Sequence, residues 1–354
     1  NGSNQIRLFG YNSAGPNGLY WEAGNVIVTS NYYLDPAKTR VVKDYYSILP
    51  TIVPPVYKTY LLLSTVSDSD RLLAFDTQNN EFNLNAIGFT PKLMDYNIST
   101  KKLALVANNA SQVIIYDTSV TPWVGSVGPV VPNPIIGIKY NNEGSAIVVS
   151  YVNGSNRIVD RVYSTSDYAS FMLVNDQAVY TGDFSNKRVV WNSGDYYLFV
   201  CNNGSTPRVA KYDVSGGTVT PLTITQPSGV SRITSIEWAN SIYLGVVTSG
   251  GLTELRKYSA YDFTPNGTLN SFSNNSGAED IIDIIMAVSE SGGNKPMLVA
   301  YASGRVEYYT PDPYLAVIDR VVSTQYKPSI GWDPNNNRIA IMEPDEVGFK
   351  FYDV

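Results

Sequence analysis

The chain of 354 residues contains no histidine and a single cysteine, Cys201. The first absence removes Ser-His-Asp and Cys-His triads, histidine general bases, and histidine-ligated zinc or haem. The second removes an intrachain disulfide, a CxxC redox pair and a cysteine-built metal site. Charge is scarce: 16% of residues are Asp, Glu, Lys or Arg, against about 25% in an average soluble domain. The net charge of −6 lacks the basic field that nonspecific nucleic-acid binding needs, so no nucleic-acid partner is expected. No apolar run approaches the ~18 residues of a spanning helix, so no membrane span is expected. Low charge does not mean disorder here, because 44% of residues are hydrophobic and 12% aromatic.

What is present is a repeat. Apolar residues run up to an aromatic, then come Asn or Asp, a tight turn and a second apolar strand. The aromatics are Tyr96, Tyr140, Trp191, Trp238 and Trp332, with Met286 in the sixth place, at steps of 44 to 51 residues. Second strands such as Ala146-Ile147-Val148-Val149 and Leu198-Phe199-Val200 are apolar throughout, as strands buried on both faces are. Third strands end on aromatic-Asp at Phe75-Asp76, Tyr116-Asp117, Tyr212-Asp213, Tyr261-Asp262 and Tyr352-Asp353. An Asp at that place caps the following turn by accepting backbone N–H groups. A fourth strand follows in several units, as at Phe171-Met172-Leu173-Val174. No segment carries a helical apolar stripe over three turns.

Short strands at this period, without helices, predict an all-β fold: a seven-bladed β-propeller, with eight blades the alternative. Residues 51–354 are read as the propeller and residues 1–50 as an N-terminal closing strand and extension within the same domain. Gln5-Ile6-Arg7-Leu8-Phe9 or Arg40-Val41-Val42 is the strand expected to close the ring beside Tyr352-Asp353.

Arg71-Leu72-Leu73-Ala74-Phe75-Asp76-Thr77 and Gln112-Val113-Ile114-Ile115-Tyr116-Asp117-Thr118 resemble the YVTN-type propeller repeat, in a broader group with WD40-like blades. The Gly-His and Trp-Asp signatures of WD40 blades themselves are absent. Propellers of the YVTN type recur in archaeal surface proteins. The uncharged, Asn- and Tyr-rich composition likewise resembles surface-layer and virion proteins of archaea and their viruses, or bacteriophage tail proteins.

Carboxylates, Tyr, Lys and Ser remain as candidate chemistry. Asp68 and Asp70 have the spacing of a calcium-loop start but lack its later Gly and Glu; a solvated turn explains them better. No metal or other cofactor is therefore expected, calcium being the one ion considered. Glu343, Asp345 and Glu346 read as turns in the same way, and Glu279, Asp280 and Asp283 form a third acidic group. Cys201 reads as a small buried hydrophobe. Tyrosine is abundant, at 27 residues, and suits both packing between blades and binding surfaces. Tyr32, Tyr33, Trp123 and Tyr314, each in or beside an expected loop, are the candidate binding residues. Sequons at Asn97, Asn109, Asn153, Asn203, Asn266 and Asn274 are candidate glycosylation sites, expected to face solvent.

These features predict a non-enzymatic structural or adhesion component of a virus particle or cell surface, extracellular and acting as a rigid protein-interaction disk. Its expected partners are other structural proteins or copies of itself, with host-surface glycan a further partner considered. A lectin-like glycan- or receptor-binding propeller is the alternative, and a carboxylate-dependent glycan hydrolase or lyase the third reading.

Overall fold

The computed structural model describes residues 18–23, 26–34, 41–43, 61–65 and 71–76, and residues 81–353 apart from 175–187, 193, 204–205, 239–240, 273–276, 287–296, 310–317, 322–328, 334–337 and 343–349. The chain forms two compact units, Asn1–Lys58 and Thr59–Val354. In the first, β1 (Gly18–Ala23), β2 (Val26–Leu34) and β3 (Val41–Lys43) make an antiparallel sheet in that order. Val41 and Val42, from one of the two candidate closing strands, pair with Leu34 and Tyr33 of β2. The other candidate, residues 5–9, lies outside the described residues.

The second unit begins with a three-stranded sheet, β4 (Leu61–Thr65), β5 (Arg71–Asp76) and β6 (Glu81–Ala86). Five four-stranded sheets follow. Blade A holds β7 (Pro91–Asn97), β8 (Lys102–Ala107), β9 (Gln112–Asp117) and β10 (Val124–Val130). Blade B holds β11 (Ile135–Tyr140), β12 (Ala146–Val152), β13 (Ile158–Ser164) and β14 (Phe171–Val174). Blade C holds β15 (Val189–Trp191), β16 (Tyr197–Asn203), β17 (Pro207–Asp213) and β18 (Thr220–Thr225). Blade D holds β19 (Val230–Trp238), β20 (Ser241–Thr248), β21 (Thr253–Ser259) and β22 (Pro265–Phe272). Blade E holds β23 (Ile281–Met286), β24 (Met297–Tyr301), β25 (Arg305–Tyr309) and β26 (Ile318–Val321). A three-stranded sheet, β27 (Ser329–Asp333), β28 (Arg338–Met342) and β29 (Lys350–Asp353), comes last.

Every strand pairs antiparallel with its chain neighbour, and the described residues contain no helix. First strands of successive blades lie side by side, β7 by β11, β11 by β15, β15 by β19 and β19 by β23. That is a propeller arrangement, with the first strand of each blade innermost. The repeating aromatics Tyr96, Tyr140, Trp191 and Trp238 fall at the ends of these inner strands, as Met286 does in blade E.

Strand alternation builds the core. In β12, Ile147, Val149 and Tyr151 join a cluster with Leu93, Ala104, Val106 and Val113 of blade A. Val148, between them, joins one with Val189, Trp191, Leu198 and Val200 of blade C. In β16, Leu198 and Val200 serve the interface with blade B, while Phe199 and Cys201 pack against Ile233, Ile236 and Leu244 of blade D. Successive strand residues point to opposite sheet faces, so an unbroken apolar run supplies two interfaces at once. Each Val, Leu or Ile buried this way contributes about 1.5–3 kcal/mol. Close approach is part of the same design. A β-carbon on Gly245 of β20 would meet Ser235 Oγ at 2.6 Å and Ile281 Cβ at 2.7 Å.

Polar side chains also bridge blades inside the core. Arg188, immediately before β15, reaches back to Asp160 of β13, and both side chains are fully buried. Its Nη2 donates to Asn202 Oδ1 at 2.9 Å, and Ser150 Oγ donates to Asp160. Between blades C and D, Asn203 Nδ2 donates to Ile233 O at 2.6 Å while Ile233 N donates to Asn203 Oδ1 at 2.8 Å. Removing one member of a buried pair strands the other's charge. Asp160→Ala is therefore expected to lower unfolding stability by about 3–5 kcal/mol in urea titration. Asp160→Leu combined with Arg188→Met is expected to recover most of that loss, since no unpaired charge remains.

Candidate binding face

Strand direction alternates within each blade, so the first-to-second and third-to-fourth turns emerge at one common end. Sequence chemistry shapes both. At the first turn, the Asn after the repeating aromatic accepts from the backbone ahead of it. Asn97 Oδ1 accepts from Thr100 N at 2.9 Å, Asn141 Oδ1 from Ala146 N at 2.9 Å and Asn192 Oδ1 from Tyr197 N at 2.8 Å. At the third turn, Asp117 Oδ1 accepts from Ser119 N at 2.9 Å, Asp213 Oδ1 from Ser215 N at 2.9 Å and Asp262 Oδ1 from Thr264 N at 3.2 Å. The recurring Asp is thus the turn cap its position implies.

The turns are also tied to one another across blades. Asn97 Nδ2 donates to Asn141 O at 2.8 Å and Asn142 O at 3.1 Å. Asn142 Nδ2 in turn donates to Asn192 O and Asp195 Oδ1, each at 2.7 Å. Lys139 Nζ donates to Asp95 Oδ1 at 2.6 Å, joining blade B to blade A. Between blades C and D, Lys211 Nζ donates to Ala260 O at 3.1 Å and stands 4.4 Å from the centre of the Tyr197 ring. Burial pushes the Lys211 ammonium below the usual lysine range, partly opposed by the Asp213 carboxylate.

Among the described residues, two tyrosine rings stand in solvent on these turns. Tyr196 is 58% exposed and Tyr261 is 89% exposed. Tyr261 departs from the sequence expectation, which places it at the end of a third strand like Tyr116 and Tyr212. Here the strand ends at Ser259. Tyr258 takes the buried position and stacks on Phe263 at 5.2 Å. Phe263 reaches it from a positive φ of 60°, inside a turn closed by Ser259 N to Thr264 O and Phe263 N to Ser259 O. Tyr261 is left projecting from that turn. Its signal in the sequence is the second aromatic, Tyr258, three residues earlier.

Three of the four expected binding residues fall among the described residues. Tyr32 and Tyr33 lie within β2, paired with Lys43 and Val42, and not in a loop. Trp123 is half-buried and packs on the cluster of Ile87, Leu103 and Leu105. Tyr314, like Asp68, Asp70, Glu343, Asp345 and Glu346, lies outside the described residues. Of the sequons, Asn97 and Asn203 are buried, 4% and 6% exposed, with both amide atoms engaged in the bonds above. They do not face solvent as expected, because the fold uses their side chains as inter-blade ties. Asn109 and Asn266 are exposed, Asn153 is half-buried and Asn274 lies outside the described residues.

Several described groups with reactive side chains are engaged structurally. Cys201 is 1% exposed, and burial pushes its thiol far above the usual range. The expected acidic group is answered by arginines: Glu279 faces Arg305 at 3.5 Å, and Asp280 pairs with Arg232 across the D–E interface. Tyr301 and Tyr309 both donate to Glu307 Oε2, and all three are buried.

No family model matches the chain, and no curated protein does. Among solved structures, Kuenenia stuttgartiensis hydrazine synthase aligns with a TM-score of 0.59 and 13% identity, over 80% of this chain and 90% of that one. The chain carries the β-propeller fold. At that identity the likeness is one of fold, and 1270 solved chains share such similarity, so it does not select an activity for the propeller.

The turn caps give the propeller an acid-sensitive stability. The Lys102 ammonium and the Ser119 hydroxyl and amide hold the Asp117 carboxyl at about 2, below its usual 3.8. Between those values the unfolded chain binds more protons, so stability present above about 3.8 is lost as pH falls through about 2. Asp117→Asn is expected to flatten this limb in urea midpoints measured across the acid range. An unchanged slope would show that the cap does not titrate with folding.

Proposed function

We propose that the protein is a non-enzymatic structural or adhesion component of a virus particle or cell surface, acting outside the cell as a rigid protein-interaction disk. The observation that carries this reading is the pair of exposed rings, Tyr196 and Tyr261, on turns that accept inter-blade hydrogen bonds at Asn192 O and Ala260 O. A tyrosine held this way offers a large contact area with little conformational entropy left to lose on binding. The rim adds to it. Val124, Val127 and Val130 on the outer strand β10, and Leu222 and Ile224 on β18, are exposed, and neither strand contains a charged residue. Exposed neutral edges of this kind suit close packing against neighbours in an assembly.

The ring is read as seven-bladed and of the YVTN-like repeat type. The two three-stranded sheets count as its remaining blades, which the position of β27 between β23 and β4 supports. Aromatic-Asp at the ends of β5, β9, β17 and β29 supports the repeat assignment. Exposed tyrosines also suit stacking on sugar rings, which keeps a lectin-like receptor-binding role as the second reading.

The test pairs assembly with binding. Tyr196→Ala together with Tyr261→Ala is expected to leave stability within about 0.5 kcal/mol and to weaken assembly or attachment at least about tenfold. Electron microscopy of particles and binding to host surfaces are the measurements. Trp123→Ala, by contrast, is expected to destabilise, because that ring is packed. Retention on a glycan array, abolished by the tyrosine changes, would favour the lectin reading. Hydrolysis of a polysaccharide by the purified protein would overturn the non-enzymatic one.

A further inference from the structure

Three Asn-Gly pairs involve described asparagines: Asn153-Gly154, Asn203-Gly204 and Asn266-Gly267. Such a pair carries an intrinsic chemistry. The backbone nitrogen of the glycine attacks the asparagine side-chain carbonyl carbon, a C–N bond forms, and ammonia leaves with the amide nitrogen. The resulting five-membered succinimide is opened by water to aspartate or isoaspartate. No oxidant, metal or enzyme enters the balance. Whether the reaction proceeds depends on whether the side chain can turn back onto the next backbone nitrogen.

The fold treats the three pairs differently. Asn203 is 6% exposed, and its Nδ2 and Oδ1 are both bonded to the backbone of Ile233 in the next blade. Asn153 Oδ1 accepts from Ser155 N at 2.9 Å and Arg157 N at 3.0 Å, which fixes the amide over its own turn. Asn266 and Gly267 are both exposed and sit on β22, the outermost strand of blade D. In the ladder, Tyr258 pairs with Pro265 and Arg256 with Thr268, so Asn266 and Gly267 together face the single residue Lys257. They form a β-bulge, outside the regular pairing. Gly267 has a φ of +110°, and nothing beyond its chain neighbours lies within 4 Å of where a β-carbon would stand. The attacking backbone is therefore unshielded on its side-chain face.

We infer that Asn266 is a site of spontaneous deamidation, and that the fold directs the reaction there by locking Asn153 and Asn203. The product places a new carboxylate on the rim of blade D; in the isoaspartyl form it also lengthens the backbone by one methylene at the bulge. Asn266 heads the sequon Asn266-Gly267-Thr268, and a glycan on the same nitrogen would block the attack.

The test uses the full chain made in a host without N-glycosylation. Folded protein is aged in mildly alkaline buffer, and each Asn-Gly peptide is followed by mass spectrometry with isoaspartate quantification. The Asn266 peptide is expected to convert at least about tenfold faster than the Asn203 peptide, whose two hydrogen bonds must open first. The Asn153 peptide is expected to lag as well. In urea the rates are expected to converge, because the protection belongs to the fold. Asn266→Gln, whose longer side chain disfavours the five-membered ring, is expected to abolish conversion at that peptide. Equal rates in the folded protein would overturn the inference, as would a rate ratio that persists unchanged in urea.

Discussion

The structure depends on the division of the second strands of blades A to E between two cores. A strand such as β12 or β16 is buried on both faces, and alternate residues belong to different inter-blade clusters. A blade therefore has no private core of the usual kind. Its stability is a property of its contacts with the blades on either side, as in other repeat architectures where a single unit cannot bury its own apolar faces. This explains the continuous apolar runs, which a half-exposed sheet would not tolerate. It also explains why polar residues appear in the core as links between blades. Arg188 with Asp160, and Asn203 with the Ile233 backbone, fix the relative registry of neighbouring sheets as well as satisfying buried groups.

The same constraint sets what the turns can do. The first turns of blades A, B and C are capped from within by Asn97, Asn141 and Asn192 and tied to one another across the blades. A side chain that projects from such a turn inherits the rigidity of two sheets. Tyr196 projects from the first turn of blade C, and Tyr261 from the third-to-fourth turn of blade D, where Ala260 O accepts from Lys211 of blade C; Trp123, in the third-to-fourth connection of blade A, instead folds back onto Ile87, Leu103 and Leu105. Residue type alone does not separate the two outcomes. What separates them is whether the local strand has already filled its aromatic slot, as Tyr258 does three residues before Tyr261.

Much of the fold was legible because it is written at a fixed period. The inner-strand aromatics, the apolar second strands, the Asp caps and the β14 strand at Phe171–Val174 all lie where repetition places them. These features rest on local chemistry: two-residue alternation and side-chain caps. The candidate site was far less legible. Asn97 and Asn203 look like surface turn residues because they sit in sequons, yet their amides are spent on a neighbouring blade 30 or more residues away. Sequence spacing does not report a partner at that separation. The sequence pattern places Tyr261 in a strand for a related reason. The motif Tyr-Asp recurs, but in blade D an extra aromatic shifts the strand end and turns the motif's ring outward.

Scarcity of charge connects these observations. A surface rich in Lys and Glu keeps proteins apart and protects exposed strand edges. Here the outer strands β10 and β18 carry valine, leucine, isoleucine, threonine and proline where such charges would stand. Among the described residues, Asp160 is committed to Arg188, Asp95 to Lys139, and Glu307 to the hydroxyls of Tyr301 and Tyr309. A group committed to a structural partner gives up the freedom a catalytic acid or nucleophile requires, since moving its proton or charge would weaken an interface between blades. The polar groups named here thus maintain the geometry within and between blades.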